Sequence, residues 1–283
     1  MRTPALASTF ALALLTGCGS LISNQQEVEI GQNVHQQLAQ QYVLVADDDP
    51  VAEWARDFVR PLEAASAPHR PPSEIGGYKV AVIADDDLVN AFAAPGGFTY
   101  LSTGLLLQAA DCAEIAGVMG HELAHVTERH GVEAIEKAFA AEQLAGFFLD
   151  EGLAKDGALL IFQVLQSTKF SREDEAEADE VGLQIAHDAG YTPYGLADFF
   201  SKLLALEKKS GGSALPQWLS SHPATADRVA AVKASIERRY GASAQPDQNR
   251  KCRTKTTLDA VKARIKGGQL KKKAGTGTKP AGG

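Results

Sequence analysis

Chemistry is concentrated in one short segment, His121-Glu122-Leu123-Ala124-His125, in the middle of an apolar stretch. Residues four apart lie on one face of a helix, so both imidazoles can reach one metal ion. Glu122 directly follows His121 and can address a water molecule beside that ion. Zinc suits this set because it accepts nitrogen and oxygen ligands in tetrahedral geometry and is not redox active. Burying these polar groups would be costly unless they were paired or bound to a metal.

A third ligand is expected further along the chain. A catalytic zinc ion usually takes three protein ligands and keeps a fourth position open. The acid-rich segment 171–179 is the candidate. Its composition also fits a solvated acidic helix face, and by itself it does not choose among Glu173, Glu175 and Glu177.

The two motifs together resemble a known family. A helix with H-E-x-x-H, followed about fifty residues later by E-x-x-A-D at 175–179, is similar to the gluzincin peptidases related to HtpX, BepA and the CAAX prenyl proteases. The similarity covers residues 27–240. It includes further segments at 90–97, 100–106, 125–130 and 221–223, together with Arg228.

The resemblance implies a zinc metalloendopeptidase domain with one zinc ion per chain. Its ligands would be His121, His125 and Glu175, and Asp179 would orient a ligand histidine from the second shell. Glu122 would be the general base that takes a proton from water and returns it to the leaving amine.

Two further residues are candidates for the developing oxyanion. His222 or Arg228 would donate to it. Alternatively, His222 occupies the fourth zinc position and keeps the resting enzyme closed. His130 is expected to be a residue at the end of the metal helix, stabilised by the helix dipole, and not a ligand.

The expected substrates are unfolded or misassembled polypeptides of the cell envelope. We hypothesise that the strand Phe98–Ser102 is an exposed edge that binds substrate backbone in extended form. The residues concerned are Phe98, Thr99, Tyr100 and Leu101. The alternative function is a chaperone-like binding protein with a closed or regulatory zinc site, although Glu122 argues against a purely structural zinc.

The N-terminus has the pattern of an export signal. Residues 1–17 combine a positive start, a short apolar run and small residues. The segment Leu15-Thr16-Gly17-Cys18 resembles the lipobox of bacterial lipoproteins, in which the cysteine receives a diacylglycerol. Acyl chains contribute about 0.8 kcal/mol per buried methylene, so several form a stable membrane anchor. Because Gly19 replaces the usual inner-membrane retention residue, we expect a lipidated linker over 18–26 on the periplasmic face of the outer membrane.

The formal net charge of −7 is unevenly distributed. Residues 250–279 hold 11 Lys and Arg against one acid, Asp259. Such a pattern is typical of a disordered, solvated basic extension, expected over 241–283. Contact of this tail with anionic lipid or with the acidic body is the alternative, and no nucleic-acid partner is expected. The two remaining cysteines, Cys112 and Cys252, could form a disulfide that would pin this tail. The sequence does not show whether their Cα atoms lie close enough.

Hydrophobic periodicity predicts a mainly α fold with a small β-sheet, an α+β class, which also fits the gluzincin resemblance. No apolar run after the signal reaches 18 residues, so no transmembrane helix is expected in the mature chain. The principal predicted elements are strands at 78–84 and 98–102 and helices at 27–45, 113–130, 132–149, 171–189 and 220–240.

Overall fold

The computed structural model describes residues 20–148, 155–210, 217–223 and 225–274. The export signal and Cys18 lie outside the described residues. The helices are α1 (Asn24–Gln41), α2 (Pro50–Ser66), α3 (Thr103–Gln108), α4 (Cys112–Thr127), α5 (His130–Ala138), α6 (Ala141–Phe147), α7 (Lys155–Ser167), α8 (Arg172–Asp188), α9 (Tyr194–Ser210), α10 (Gln217–Ser221), α11 (Ala226–Tyr240) and α12 (Leu258–Lys266). The strands are β1 (Lys79–Ile83), β2 (Ala91–Ala94) and β3 (Phe98–Ser102). The predicted α+β class is confirmed.

The metal-motif helix α4 is buried along its whole length and packs mainly on α8 and α9. Asp111 caps its start by accepting a hydrogen bond from the backbone N–H of Glu114. Two glycines let α4 and α8 approach closely. A Cβ on Gly120 would lie 2.7 Å from the carbonyl oxygen of Gly182, and one on Gly182 would lie 2.7 Å from the backbone nitrogen of His121. Close backbone contact therefore brings the helix that carries H-E-x-x-H and the helix that carries E-x-x-A-D side by side.

The sheet corrects the hypothesis about β3. Its order is β1-β3-β2, with β1 parallel and β2 antiparallel to β3. β3 is therefore the central strand, all five of its residues are buried, and it has no exposed edge. β2 was not predicted because it is four residues long and contains three alanines, which have little β preference.

The two sides of the sheet differ. Beyond β1, Leu44 forms a bridge to Ile83, and Val45 forms the next bridge to Lys272. Among the described residues no further strand pairs with β2. The outer side of β2 is therefore the open edge of the described sheet.

A buried ion network links the N-terminal helix to the end of α4. Glu27 and Arg70 are 1% and 3% exposed, and both carboxylate oxygens of Glu27 lie 2.8 Å from guanidinium nitrogens of Arg70. Arg129 also donates to Glu27 at 3.0 Å, and so does the backbone N–H of Gly96 at 3.2 Å. Because Gly96 lies in the β2–β3 turn, this network connects α1, α4 and the sheet.

Several predicted helix boundaries were wrong. The helix predicted over 113–130 ends at Thr127, because Arg129 adopts the left-handed conformation with φ 64°. The prediction over 132–149 covers two helices, α5 and α6. The prediction over 220–240 also divides into two, since the chain leaves α10 just before Pro223, and proline disfavours helical geometry in the residue before it.

The linker prediction also needs correction. Ile22, inside the predicted linker 18–26, is 1% exposed and packs in the core, and α1 already begins at Asn24. The chain is therefore folded onto the body from Ser20 onward, where the hydroxyl and the Ile22 N–H both donate to Glu136. No described helix is long and apolar enough to cross a membrane.

The basic tail is folded over residues 241–274, which corrects the prediction of disorder there. Three apolar residues of α12, Leu258, Val261 and Ile265, are buried against the core. Cys112 and Cys252 form a disulfide with a Cα–Cα distance of 5.0 Å. Contact between the tail and the acidic body was the alternative interpretation, but the sequence did not identify the partners, which lie far from the tail along the chain.

Those partners include three consecutive aspartates that precede α2. Asp49 is fully buried and accepts from Arg264 at 2.9 Å and from the backbone N–H of Lys271 at 2.8 Å. The two aspartates before it pair with tail lysines, Asp48 with Lys271 and Asp47 with Lys273. The acidic body thus binds its own basic tail.

Candidate metal centre and active-site cleft

Four buried side chains converge on one point. Their ligand atoms, from His121, His125, Glu175 and His222, all lie within 4.8 Å of one another. The Nε2 atoms of His121 and His125 are 3.1 Å apart, and each lies 3.6 Å from an oxygen of Glu175. His222 Nδ1 lies 3.3 Å from His121 Nε2 and 2.7 Å from Glu175 Oε1.

This donor set fits zinc. Bonds of about 2.0–2.2 Å in tetrahedral geometry place neighbouring ligand atoms about 3.3–3.6 Å apart. The contacts above range from 2.7 to 3.6 Å. Small side-chain movements would therefore suffice to admit the ion, and the chemistry of two or three imidazoles with one carboxylate is that of known zinc sites.

The electrostatic environment of His125 and Glu175 favours the binding of a cation. Burial lowers the pKa of His125 well below its usual range, so its imidazole is neutral and keeps a lone pair. For Glu175, burial raises the pKa, but the imidazoles of His222, His125 and His121 together outweigh it and the pKa is lowered. The carboxylate is therefore ionised at neutral pH.

Asp179 and Arg228 surround the ligands. Asp179 Oδ1 lies 3.0 Å from Nδ1 of His121, which is where a residue that orients this histidine should lie. Arg228 contacts both oxygens of Asp179, at 2.7 and 2.8 Å, and an oxygen of Glu175 at 2.5 Å. The guanidinium also donates to the carbonyl of Pro223 and lies over the ring of Phe200.

These contacts favour a holding role for Arg228. Its nitrogens face the carboxylates of Glu175 and Asp179, and the residue does not line the cleft. The geometry therefore does not support the alternative in which Arg228 donates to the oxyanion.

A cleft of about 340 Å³ opens beside the metal centre. Glu122, His125 and His222 line one side, and Phe92, Ala93 and Ala94 of β2 line another. The lining also includes the apolar residues Val34, Val132, Phe162 and Leu165. The residues predicted to bind substrate, Phe98, Thr99, Tyr100 and Leu101, do not line this cleft. They lie in the buried strand behind β2.

Comparison with known proteins decides the family. Residues 52–236 match the family model described as Peptidase family M48. The chain belongs to peptidase family M48. Peptidases of this family are zinc-dependent, and the four buried side chains could hold one metal ion, so the predicted family and zinc cofactor are confirmed.

Curated relatives of this M48 chain fall into two groups. The mitochondrial metalloendopeptidase OMA1 of Arabidopsis thaliana is 36% identical over 162 residues, which cover 56% of this chain and 32% of the relative. The beta-barrel assembly-enhancing protease of Escherichia coli is 26% identical over 226 residues, 76% of this chain and 45% of the relative. The Vibrio cholerae protein with the same function in its name, marked putative, is 28% identical over 225 residues, with the same coverages. The chain thus spans less than half the length of these relatives.

Sequence reasoning missed one contact in this M48 site. Trp218 is fully buried, and its indole N–H donates to Oε1 of Glu122 at 2.9 Å. His222 Nε2 lies 3.6 Å from the same oxygen. Helix α10 and the residue that follows it therefore place two side chains, Trp218 and His222, beside Glu122. A lone tryptophan four residues before a histidine gives no sequence signal for this arrangement.

Proposed function

We propose that this M48 peptidase is a zinc-dependent endopeptidase that cleaves unfolded or misassembled polypeptides of the bacterial cell envelope. The observation that carries the proposal is the buried donor set with Glu122 beside it, opening into a cleft bordered by strand β2, whose outer edge is open in the described sheet. The relatives named as beta-barrel assembly-enhancing proteases support the envelope setting. The OMA1 relatives, named as mitochondrial, support the peptidase activity alone.

In this proposal His121, His125 and Glu175 hold the zinc ion. Zinc supplies Lewis acidity, which lowers the pKa of water and polarises a carbonyl group. Glu122 takes a proton from the attacking water and delivers it to the leaving amine. Asp179 holds His121 through its Nδ1, and Arg228 holds the carboxylates of Asp179 and Glu175.

The proposed location rests on the N-terminal sequence. A lipid on Cys18 would anchor the chain to the periplasmic face of the outer membrane. Only two residues separate Cys18 from Leu21, which is 60% exposed, before the chain enters the core at Ile22. The folded body would therefore sit close to the lipid surface.

The free edge of β2 replaces β3 as the proposed substrate-binding strand. The Ser102 N–H donates to the Asn90 carbonyl, so this pair is a hydrogen-bonded one. Alternation along the antiparallel ladder then places Phe92 and Ala94 in bonded pairs and turns the peptide groups of Ala93 outward. An extended substrate can accept a hydrogen bond there without disturbing the sheet.

Ala93→Pro tests this proposal. Proline removes the outward N–H and is tolerated on an edge strand where that N–H bonds nothing in the sheet. A lost hydrogen bond of about 0.5–1.5 kcal/mol predicts a decrease in kcat/KM of about 2- to 13-fold for a peptide substrate. Ala93→Ser keeps the N–H and serves as the matched control. Equal kcat/KM for the two folded variants would contradict binding at this edge.

His222 is proposed to act as a gate. As a fourth ligand it would occupy the position that a catalytic zinc keeps for water. We expect His222→Ala to cleave casein faster, by about 10-fold or more if the open state makes up 10% or less of the molecules. Ser221→Ala, one residue away, is the control. A large loss of activity with zinc retained would instead assign His222 to catalysis.

The proposed activity is tested on the chain purified without residues 1–18. We expect one zinc ion per chain and casein cleavage that stops after treatment with a chelator and returns when zinc is added. Zinc binding without cleavage, in both the wild type and His222→Ala, would support the second candidate function. That candidate is a chaperone-like binding protein, and it is favoured by the contacts of Trp218 with Glu122 and of His222 with Glu175.

A further inference from the structure

His130 contacts the metal centre although it lies outside the ligand group. The side chain is 3% exposed, and its Nδ1 lies 2.8 Å from Nδ1 of His125. Its other nitrogen, Nε2, lies 3.3 Å from Oε2 of Glu177 on α8. The left-handed turn at Arg129 makes this possible, because it reverses the chain and places His130 at the start of α5 beneath α4.

The expected role of His130 was wrong in one respect. It begins α5 instead of ending α4, so it lies at the positive end of a helix dipole. That end does not stabilise a protonated imidazole. When one ring nitrogen of an imidazole accepts a hydrogen bond, the other ring nitrogen is the one that can donate.

The donor and the acceptor in the His125–His130 and His130–Glu177 hydrogen bonds follow from the proposed role of His125 as a metal ligand. Nε2 of His125 faces the donor set, so its lone pair is the one available to the ion. The neutral His125 then carries its proton on Nδ1 and donates it to Nδ1 of His130. His130 must in turn carry its own proton on Nε2, which faces the carboxylate of Glu177.

We propose that His130 and Glu177 form a hydrogen-bond chain that fixes the tautomer and ring orientation of His125. Both are positioning residues, and the inference rests on the proposed assignment of His125 as a zinc ligand. Phe170 stacks on the face of His125 at 4.1 Å, which restrains tilting of the ring but does not select a tautomer. The hydrogen bond to His130 does so.

With this hydrogen-bond chain, each of the two motif histidines has a partner at its Nδ1, but the two partners differ. His121 has a carboxylate, Asp179, 3.0 Å from its Nδ1. His125 instead has the imidazole of His130 at its Nδ1. That imidazole contacts the carboxylate of Glu177, whose side chain is 57% exposed. Zinc affinity therefore depends on a surface residue that touches no ligand.

The experiment measures zinc affinity by competition with a chromophoric chelator, independently of cleavage. We expect His130→Leu, which cannot accept the hydrogen bond, to bind zinc about 10- to 100-fold more weakly. His130→Asn places an amide oxygen near the position of Nδ1 and should restore most of that affinity. The visible spectrum of the cobalt-substituted protein should change in the leucine variant and stay close to wild type in the asparagine variant.

Glu177→Ala provides a second route if His130→Leu does not fold. We expect weaker zinc binding than in Glu173→Ala, which removes the same charge from an exposed position one turn earlier on α8. Equal affinity for these two variants, or wild-type affinity and spectrum in a folded His130→Leu, would overturn the proposed chain.

His125→Ala separates this failure from that of the proposed function. If it lowers zinc affinity but His130→Leu does not, only the hydrogen-bond chain is wrong. If His125→Ala also binds zinc like the wild type, the assignment of the metal site falls, and the chain with it.

Discussion

Glu122→Gln is expected to abolish most casein cleavage while leaving one zinc ion bound. The substitution keeps the size of the side chain and an oxygen that can accept from the Trp218 indole, but it cannot accept a proton from water. General acid–base groups contribute about 10²- to 10⁴-fold to the rate, so kcat should decrease by that factor. Zinc content and kcat are measured on the same preparations.

A substitution of Trp218, the donor in the hydrogen bond to Glu122, is the control for the first prediction. Trp218→Phe removes the indole donor but leaves the Glu122 carboxylate, so it should retain cleavage to a far greater extent than Glu122→Gln. If Glu122→Gln kept wild-type kcat, Glu122 would not be the general base, whatever the metal content.

Loss of the disulfide is expected to lower stability substantially without removing the metal site. Cys112 and Cys252 are 140 residues apart in sequence, and a crosslink across a loop of that size contributes about 2–5 kcal/mol. For a chain of this size that corresponds to a decrease in Tm of about 4–20 °C. Cys252→Ser is the better variant, because Cys252 is only half-buried whereas Cys112 is 1% exposed.

Reduction of the wild type is the matched comparison for this second prediction. A phosphine reductant should lower the Tm of the wild type towards that of Cys252→Ser and should leave the variant unchanged. Equal Tm values for oxidised wild type and variant would show that the crosslink does not stabilise the fold. The zinc content should remain one per chain in both.

Local patterns predicted the centre of the site well. Helical spacing places His121 and His125 on one face, and the resemblance selected Glu175 from among three neighbouring glutamates. The structure brings these residues together with His222, for which the sequence left two roles open. Each of these relationships depends on residues within one helix or on a motif with few alternatives.

Relationships across the fold were harder to predict. The Trp218–Glu122 and His130–His125 contacts depend on how short helices turn back on α4, and composition does not report such turns. β3 was identified as a strand but misplaced as an edge, because its neighbour β2 is alanine-rich and short. The basic composition of the tail predicts disorder, whereas the structure pairs its cations with aspartates more than 200 residues earlier in the chain.

The pairing of residues 44–45 with Ile83 and Lys272 would have a further consequence if the proposed lipid on Cys18 held the protein at a membrane surface. Anchoring to a membrane confines molecules to two dimensions and increases how often they collide. Exposed strand edges invite association between copies under such conditions. Here the C-terminal segment covers one side of the sheet, and the other side borders the cleft beside the metal centre. The tail would thus keep crowded copies apart while leaving the edge available to an unfolded client.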